Sequence, residues 1–184
     1  MAGKLEGRTV AILLAQGVED LEYHVTRMRL IEEGAEVLTA ATDLAPVEGK
    51  NGLAAEPDTL LEDVDADGLL GLVIPGGWAP DKLRRSAAVL DLVRAVDRAG
   101  KPVGIICHGG SVAISAGIVR EGGRATGSLG IKDDLVNAGA AWSDEPALRD
   151  GNLVWGRVVA DIPDFCRELV AALVEASRRE LSPA

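Results

Sequence analysis

Short apolar runs alternate with longer amphipathic segments along most of this chain. Residues 9–14, 36–41 and 69–74 are rich in Val, Leu, Ile and Ala, and each run has the length of a buried strand. Apolar positions recur at helical spacing elsewhere, so helices are predicted at about 19–33, 87–99, 131–138 and 161–178. Because strands alternate with helices, we expect an α/β fold with an open, mostly parallel sheet and helices on both faces.

Glycines mark several turns between these elements. Lys50-Asn51-Gly52 predicts a hairpin with a type I′ turn, which needs left-handed backbone at both central residues. Asp150-Gly151 predicts a second hairpin near the end of the chain. With 184 residues and no repeat, linker or low-complexity segment, the whole chain 1–184 is expected to form one domain.

Composition narrows the possible functions. Acidic residues outnumber basic ones by 29 to 19, and the net charge of −10 disfavours binding to nucleic acids or anionic membranes. No apolar run resembles a membrane span or a secretion signal, so a cytoplasmic location is expected. The 2 cysteines and 2 histidines form neither a disulfide framework nor a metal cluster, and the sequence indicates no metal and no cofactor.

The segment 101–111 carries the strongest chemical signal. The apolar run 103–106 predicts a buried strand that stops at Cys107, and His108 with two glycines leads into a short apolar helix. A cysteine at such a strand-to-helix bend lies where many hydrolases place a nucleophilic serine. The amide groups of the helix start are expected to lower the pKa of this thiol. A buried, inert core cysteine is the alternative reading of Cys107.

Loops that leave parallel strands at their C-terminal ends meet along one edge of a sheet, where ligands bind. Three such loops are expected here, at about 16–22, 75–81 and 107–110. They bring a nucleophile, a histidine, two carboxylates and two glycine amides to the same edge: Cys107, His108, Glu22, Asp81, Gly76 and Gly77. Taken singly, each acid equally fits a surface residue at a helix start, and the glycines a plain turn. The convergence of all six favours an enzyme.

Several separate motifs resemble one family. Ile105-Ile-Cys-His-Gly109, with Ile114-Ser-Ala-Gly117 behind it, resembles the signature of the ThiJ/PfpI family of intracellular cysteine proteases and deglycases. Three further blocks resemble that family in the same order: Gly17-Val-Glu-Asp-Leu-Glu22, Val73-Ile-Pro-Gly-Gly77 with Ala79-Pro80-Asp81, and Gly130-Ile-Lys-Asp-Asp134. The resemblance covers nearly the whole chain. It implies a flavodoxin-like fold and assembly as a homodimer or a higher homo-oligomer.

The resemblance also implies roles for single residues. Cys107 corresponds to the nucleophile and His108 to its base. Asp81 corresponds to the acid of a triad that is completed across a subunit interface in PfpI-type rings. The implied activity is attack on an electrophilic carbonyl, in a peptide or in a small carbonyl compound.

Neighbouring groups complete the implied site. Glu22 corresponds to a glutamate that hydrogen-bonds the cysteine through a protonated or shared-proton carboxyl. Gly76, Gly77 and the His108 amide resemble the family's oxyanion hole. Glu19, one helical turn from Glu22, is expected to have little influence on Cys107.

Three positions depart from the family pattern. Gly110 stands where the family usually has proline, so the start of the following helix is expected to be looser. Ser128 replaces a tyrosine that lines the site in some members, which leaves substrate preference open. Trp155 replaces a small residue close to Arg157 and is expected to alter the nearby pocket wall.

Two functional classes remain open. In the first, the Cys107 thiolate adds to a carbonyl of a peptide, as in a protease, or of a reactive dicarbonyl or its protein adduct, as in a deglycase or glyoxalase. In the second, the protein is a nonenzymatic stress protein, either a peroxide sensor or a holdase chaperone. His108 and Asp81 favour the enzyme, because a sensor needs only an accessible thiol. Cys166, in an apolar helical pattern, is expected to be core packing.

Overall fold

A seven-stranded sheet forms the centre of the molecule. The structure is a computed structural model that describes residues 3–181. In chain order, the strands are β1 (Thr9–Leu13), β2 (Glu36–Ala41), β3 (Val47–Glu48), β4 (Ala54–Ala55), β5 (Thr59–Leu60), β6 (Leu69–Ile74), β7 (Val103–Ile106), β8 (Arg124–Ala125), β9 (Ala141–Trp142), β10 (Ala147–Asp150) and β11 (Leu153–Gly156). Every residue of β6 and β7 is buried, as expected for strands covered on both faces.

The sheet is open and mostly parallel. Its strand order is β10-β11-β7-β6-β1-β2-β5, and only the edge strand β10 runs antiparallel to its neighbour. The predicted α/β class is therefore confirmed. Strands β7, β6 and β1 lie side by side in the middle of the sheet, so the three loops that follow them leave from adjacent strands. This adjacency brings the candidate chemical groups together at the carboxyl edge.

Helices cover both faces of the sheet. They are α1 (Asp20–Glu32), α2 (Ala79–Leu83), α3 (Ala87–Arg98), α4 (Gly110–Ala116), α5 (Lys132–Asn137) and α6 (Ile162–Leu181). Helices α1 and α6 contact each other on one face, while α3 and α4 pack together on the other. The predicted inner side of α3 is confirmed, since Val89, Leu92, Val93 and Val96 are all buried.

Helix α6 lies close to the strands because glycines in the sheet leave room for it. A Cβ atom added to Gly104 would stand 3.0 Å from the ring of Phe165, and one added to Gly156 would stand 2.8 Å from the same ring. A Cβ at Gly71 would stand 2.6 Å from Leu173 Cδ2. The largest apolar side chain of α6 therefore fills space that strand side chains normally occupy.

Two local details differ from expectation. The loop between β3 and β4 is not a type I′ turn, because Gly52 has a positive φ of 94° while Asn51 does not. The Asn51 amide instead donates to a side chain of α1, so a tertiary contact decides the turn. The loop expected at 75–81 ends in the short helix α2, and Pro80 lies in the first turn of that helix, where proline is well tolerated. The second hairpin, between β10 and β11, is confirmed.

Among residues 3–181, no helix combines the length and the apolar character needed to cross a bilayer.

Because Phe165 packs directly against Gly104 and Gly156, truncation of its side chain should lower the stability of the protein strongly. We expect Phe165→Ala to lower the free energy of unfolding by about 3–5 kcal/mol, because a cavity remains where strand side chains cannot fill in. Urea denaturation of Phe165→Ala measures this loss. Leu129→Ala serves as the control, since Leu129 is 71% exposed, and should change stability by less than about 0.5 kcal/mol. Equal effects of the two variants would contradict this account of the core.

Candidate active site

Cys107 occupies a strained bend directly after β7. Among residues 3–181 it is the only non-glycine residue with a positive φ, at 57°. Such left-handed backbone disfavours most side chains by about 1–3 kcal/mol and is found where surrounding contacts enforce it. The bend is followed by a 3₁₀ turn and then by α4. It turns the thiol out of the sheet toward a cavity of about 450 Å³ at the carboxyl edge.

Two glycines make this bend possible. A Cβ on Gly76 would stand 2.7 Å from Cys107 Cβ and 2.9 Å from the His108 nitrogen. A Cβ on Gly109 would collide with the carbonyl oxygen of Ile74, the last residue of β6. The loop after β6 and the start of the helix after β7 therefore approach each other backbone to backbone. No larger residue fits at either position without movement of the main chain.

Glu22 lies beneath the cysteine and is fully buried at 0% exposure. Its Oε2 accepts a hydrogen bond of 2.7 Å from the Gly76 N–H, whereas its Oε1 has no hydrogen-bond partner within residues 3–181. The expectation that Gly76 donates to an oxyanion is therefore wrong for this arrangement, because its N–H is already used by Glu22. The backbone N–H groups of His108 and Gly77 act on the Cys107 thiol, where each lowers its pKa.

The thiol and the carboxyl form a coupled pair. Burial raises the pKa of Glu22 to about 7, even though the Gly76 N–H and the contact with Cys107 oppose the rise. Burial, together with the nearby Glu22 charge, raises the pKa of Cys107 to about 12. The expected lowering of the thiol pKa is thus wrong, because the amides of His108 and Gly77 do not outweigh these two causes. Near neutral pH the Cys107 thiol therefore keeps its proton, and Glu22 is close to half protonated.

His108 stands next to the thiol in a state suited to take a proton. Its Nδ1 lies 3.3 Å from Cys107 Sγ. Burial and the positive charge of Lys50 lower the pKa of His108, so that the imidazole is neutral at neutral pH. A Cβ on Gly130 would stand 3.1 Å from His108 Nε2, so the absence of a side chain there leaves room beside the ring.

Asp81 is not brought to His108 within one chain. Its carboxylate is exposed on α2 and pairs with Arg85 one turn later on that helix. Asp81 and His108 both line a second surface cavity, which has a volume of about 370 Å³. The exposed Trp78 lines this cavity and the first one. Within residues 3–181, the described hydrogen bond of the His108 ring is the one to Cys107.

A charged group in the first cavity was missed from the sequence. Glu19 is only 5% exposed, and its Oε2 accepts a hydrogen bond of 3.0 Å from Lys50 Nζ. The Glu19 charge makes one of the smaller contributions to the raised pKa of Glu22, whereas the expectation that Glu19 has little influence on Cys107 stays a prediction. Residues 19 and 50 are 31 positions apart, and only the turn after β3 brings them together.

The departures from the family pattern have structural consequences. Gly110 is buried, with a helical φ of −55°, and a Cβ there would stand 2.7 Å from Ile131 Cδ1 and 3.5 Å from the ring of Trp155. Neighbouring side chains therefore fill the space beside Gly110, and the expected looser start of the helix stays a prediction. Ser128 lines the first cavity, and its N–H donates to the Cys107 carbonyl at 3.3 Å. Cys166 is buried near Thr26, as expected for core packing.

An open parallel α/β sheet with a cysteine at the elbow after a central strand defines a class of protein, and comparison with known proteins specifies it. Residues 8–172 match the model of the DJ-1/PfpI family. Deglycase PfpI of Pyrococcus furiosus is 37% identical over 164 residues, which cover 89% of this chain and 98% of that protein. General stress protein 18 of Bacillus subtilis is 35% identical over 170 residues, which cover 91% of this chain and 98% of that protein. The chain belongs to the DJ-1/PfpI family.

A solved structure shows the same fold. It is a two-domain protein from Anabaena variabilis with a DJ-1/ThiJ/PfpI-like and a ferritin-like domain, and it matches with a TM-score of 0.88 at 35% identity. The match covers 90% of this chain and 48% of that one. The chain therefore spans about half the length of this structural relative.

The raised pKa of Glu22 predicts a pH-dependent stability difference. The protonated carboxyl is favoured in the folded state, so its contribution to stability is present below pH 4.5 and is lost as pH rises through about 7. Between pH 5 and pH 8, wild type should therefore lose about 2–3 kcal/mol relative to Glu22→Gln, which does not titrate. Urea denaturation at both pH values measures this difference.

The matched control is Glu32→Gln, on the same helix with a carboxylate that is 73% exposed. It should follow the wild-type pH dependence to within about 0.5 kcal/mol. If Glu22→Gln also follows wild type, Glu22 is not held in its protonated form.

Proposed function

We propose that this protein is a cysteine-dependent enzyme that attacks electrophilic carbonyl groups, as a deglycase or glyoxalase, with Cys107 as the nucleophile. The observation that carries the proposal is the distance of 3.3 Å between Cys107 Sγ and His108 Nδ1 in an open cavity. A nucleophile within reach of a neutral imidazole is the pairing that nucleophilic catalysis requires. The name of the Pyrococcus furiosus relative, a deglycase, supports the same reading.

The neighbouring groups suit each part of this reaction. The thiol proton moves to His108 Nδ1 while sulfur bonds to the carbonyl carbon. The electron pair of the C=O bond moves to oxygen, which accepts hydrogen bonds from the amides of Gly77 and His108. Glu22, with its pKa of about 7, donates or accepts a proton next to sulfur. The adduct is then hydrolysed or rearranged.

The same site could serve a protease, and the two substrates differ in size. A cavity of about 450 Å³ suits a small carbonyl compound or the modified end of a side chain. Trp78 and Leu129, exposed by 61% and 71%, lie on loops beside His108 and offer apolar surface to a polypeptide. We favour the small carbonyl because a cavity of this volume holds a small compound, and Lys50 and Val158 to Ala160 are among the residues that line it.

A peroxide sensor is the weaker alternative. Sensor cysteines react as accessible thiolates with a low pKa. Burial and Glu22 raise the pKa of Cys107, and the sulfur needs a proton acceptor to become reactive. Enzymes supply that acceptor during each turnover, and His108 is placed for this task.

Turnover assays test the proposal. Wild type should convert methylglyoxal, and Cys107→Ala should lose at least about 10³-fold in kcat/KM, because the bond-forming atom is removed. Cys166→Ala is the matched control and should retain activity, since Cys166 is buried on the opposite side of the sheet from α4. An unfolded protein, assayed in parallel, reports on the protease alternative. Activity that survives in Cys107→Ala would overturn the proposal.

We further propose that the active form is an oligomer in which Asp81 of one subunit orients His108 of the next. The exposed carboxylate of Asp81 does not reach its own His108, yet both residues line one surface cavity that a second chain could close. In catalytic triads, loss of the acid that orients the histidine lowers rates by orders of magnitude.

Mixing two inactive variants tests this arrangement. Cys107→Ala and Asp81→Ala chains, mixed in equal amounts, should recover up to about a quarter of wild-type activity, because that fraction of sites combines an intact cysteine with a neighbour's intact aspartate. Cys107→Ala mixed with His108→Ala is the control and should recover none, since both residues belong to the same chain's site. Full exchange of subunits without recovery would assign Asp81 to its own chain or to no catalytic role.

A further inference from the structure

We propose that Lys50 makes the Cys107 cavity selective for carbonyl compounds that carry a carboxylate next to the reacting carbon. The inference deepens the proposed function, because it takes Cys107 as the reactive atom and names the substrate class. It rests on how the loop between β3 and β4 is held against the start of α1.

That loop is fixed by a buried side chain of α1. Asp20, which is 2% exposed, accepts hydrogen bonds of 2.7 Å from the backbone N–H groups of both Asn51 and Leu53. The Lys50 N–H donates to the Val18 carbonyl at 2.8 Å. Burial alone would raise the pKa of Asp20, but the two backbone donors outweigh it and lower that pKa, so Asp20 is a firm anionic anchor. The backbone of Lys50 is therefore fixed at the edge of the cavity.

The ammonium group is also held in place. Lys50 Nζ donates to Glu19 Oε2 at 3.0 Å, while Glu19 Oε1 accepts from Asn51 Nδ2 at 3.1 Å. An ammonium has three donors, and this contact uses one of them. The Lys50 side chain is 40% exposed, so the remaining donors can reach a ligand in the cavity.

Lys50 is the only cationic side chain among the described residues that line this cavity. His108 is neutral there, because burial and the Lys50 charge lower its pKa. Glu22 is largely protonated up to its pKa of about 7. Each Glu19 oxygen already accepts one hydrogen bond, Oε2 from Lys50 and Oε1 from Asn51. A carboxylate that enters the cavity finds one charged donor, and a charge-assisted hydrogen bond to it is stronger than a neutral one.

The chemistry of such a ligand follows directly. Glyoxylate is an aldehyde with an adjacent carboxylate. Cys107 sulfur adds to its aldehyde carbon, the thiol proton passes through His108 to the former carbonyl oxygen, and a hemithioacetal results. Atoms and charge balance without any oxidant, reductant or leaving group. The carboxylate remains free to bind Lys50.

Two alkylating reagents of nearly the same shape measure the charge next to sulfur. Iodoacetate is anionic and iodoacetamide is neutral, and both alkylate the Cys107 thiolate. A change in thiol pKa alters both rates equally, so the ratio of the iodoacetate rate to the iodoacetamide rate reports the local charge alone. We expect this ratio to fall about fivefold at low ionic strength in Lys50→Met, as loss of one unit charge near 4 Å implies.

Matched variants separate local charge from other effects. Lys50→Arg should keep the wild-type ratio, because the charge is retained. Lys82→Met removes the same charge from α2, where Lys82 Nζ donates to the Gln16 carbonyl at 3.0 Å outside the Cys107 cavity, and should also keep it. Circular dichroism confirms that each variant is folded, and Lys50→Gln replaces Lys50→Met if that variant does not fold. An unchanged ratio in Lys50→Met, or an equal fall in Lys82→Met, would overturn the role of Lys50.

A second measurement addresses the substrate class. Glyoxylate should protect wild-type Cys107 from iodoacetamide at a concentration several-fold lower than methyl glyoxylate, its uncharged ester, and Lys50→Met should lose this difference. Equal protection by the two compounds in wild type would overturn the substrate class. If iodoacetamide does not label Cys107 at all, the proposed function itself fails, and that outcome is distinct from a failure of the Lys50 inference.

Discussion

The hydrogen bond from the Gly76 N–H to Glu22 organises the site around Cys107. At 2.7 Å it ties the loop after β6 to α1, across 54 residues of sequence, directly below the thiol. The bond gives one oxygen of the buried Glu22 carboxyl a hydrogen-bond donor, while the other oxygen has none within residues 3–181. Because Gly76 is used in this way, the next amide, that of Gly77, remains for sulfur and its ligands. One hydrogen bond therefore decides that the Gly76 amide binds Glu22 and that the Gly77 amide acts on Cys107.

The site lowers the stability of the protein that carries it. The left-handed backbone at Cys107 lowers the free energy of unfolding by about 1–3 kcal/mol. Ionisation of Glu22, whose pKa is raised to about 7, lowers the free energy of unfolding further as the pH rises. Apolar packing away from the candidate active site offsets this loss of stability. The seating of Phe165 over Gly104 and Gly156 is one example, and a buried aromatic side chain contributes several kcal/mol.

The sequence was sufficient to predict the fold class and the position of Cys107 directly after the buried strand β7. Apolar runs predicted the central strands, and the rule that loops meet at the carboxyl edge of a parallel sheet predicted that the three loops lie together, as the adjacent strands β7, β6 and β1 place them. The sequence could not predict contacts between polar groups that lie far apart in the chain. The Glu19–Lys50 pair depends on a turn whose shape is decided by Asp20, and no local pattern encodes that. The direction of the Cys107 pKa shift was misjudged for a related reason, since the start of a helix is a local feature, whereas burial and the nearby Glu22 charge come from residues far away in the chain.

The backbone-to-backbone contact of Gly76 and Gly109 with the elbow has a consequence for how this protein can change. The immediate support of Cys107 is this glycine backbone together with the buried Glu22, so a larger residue at either glycine would displace the main chain rather than adjust the direction of the thiol. Variation in what the protein accepts is instead confined to the rim, where Lys50, Trp78 and Ser128 project from three separate loops. A library for altered substrate scope should randomise those three positions and leave the elbow untouched.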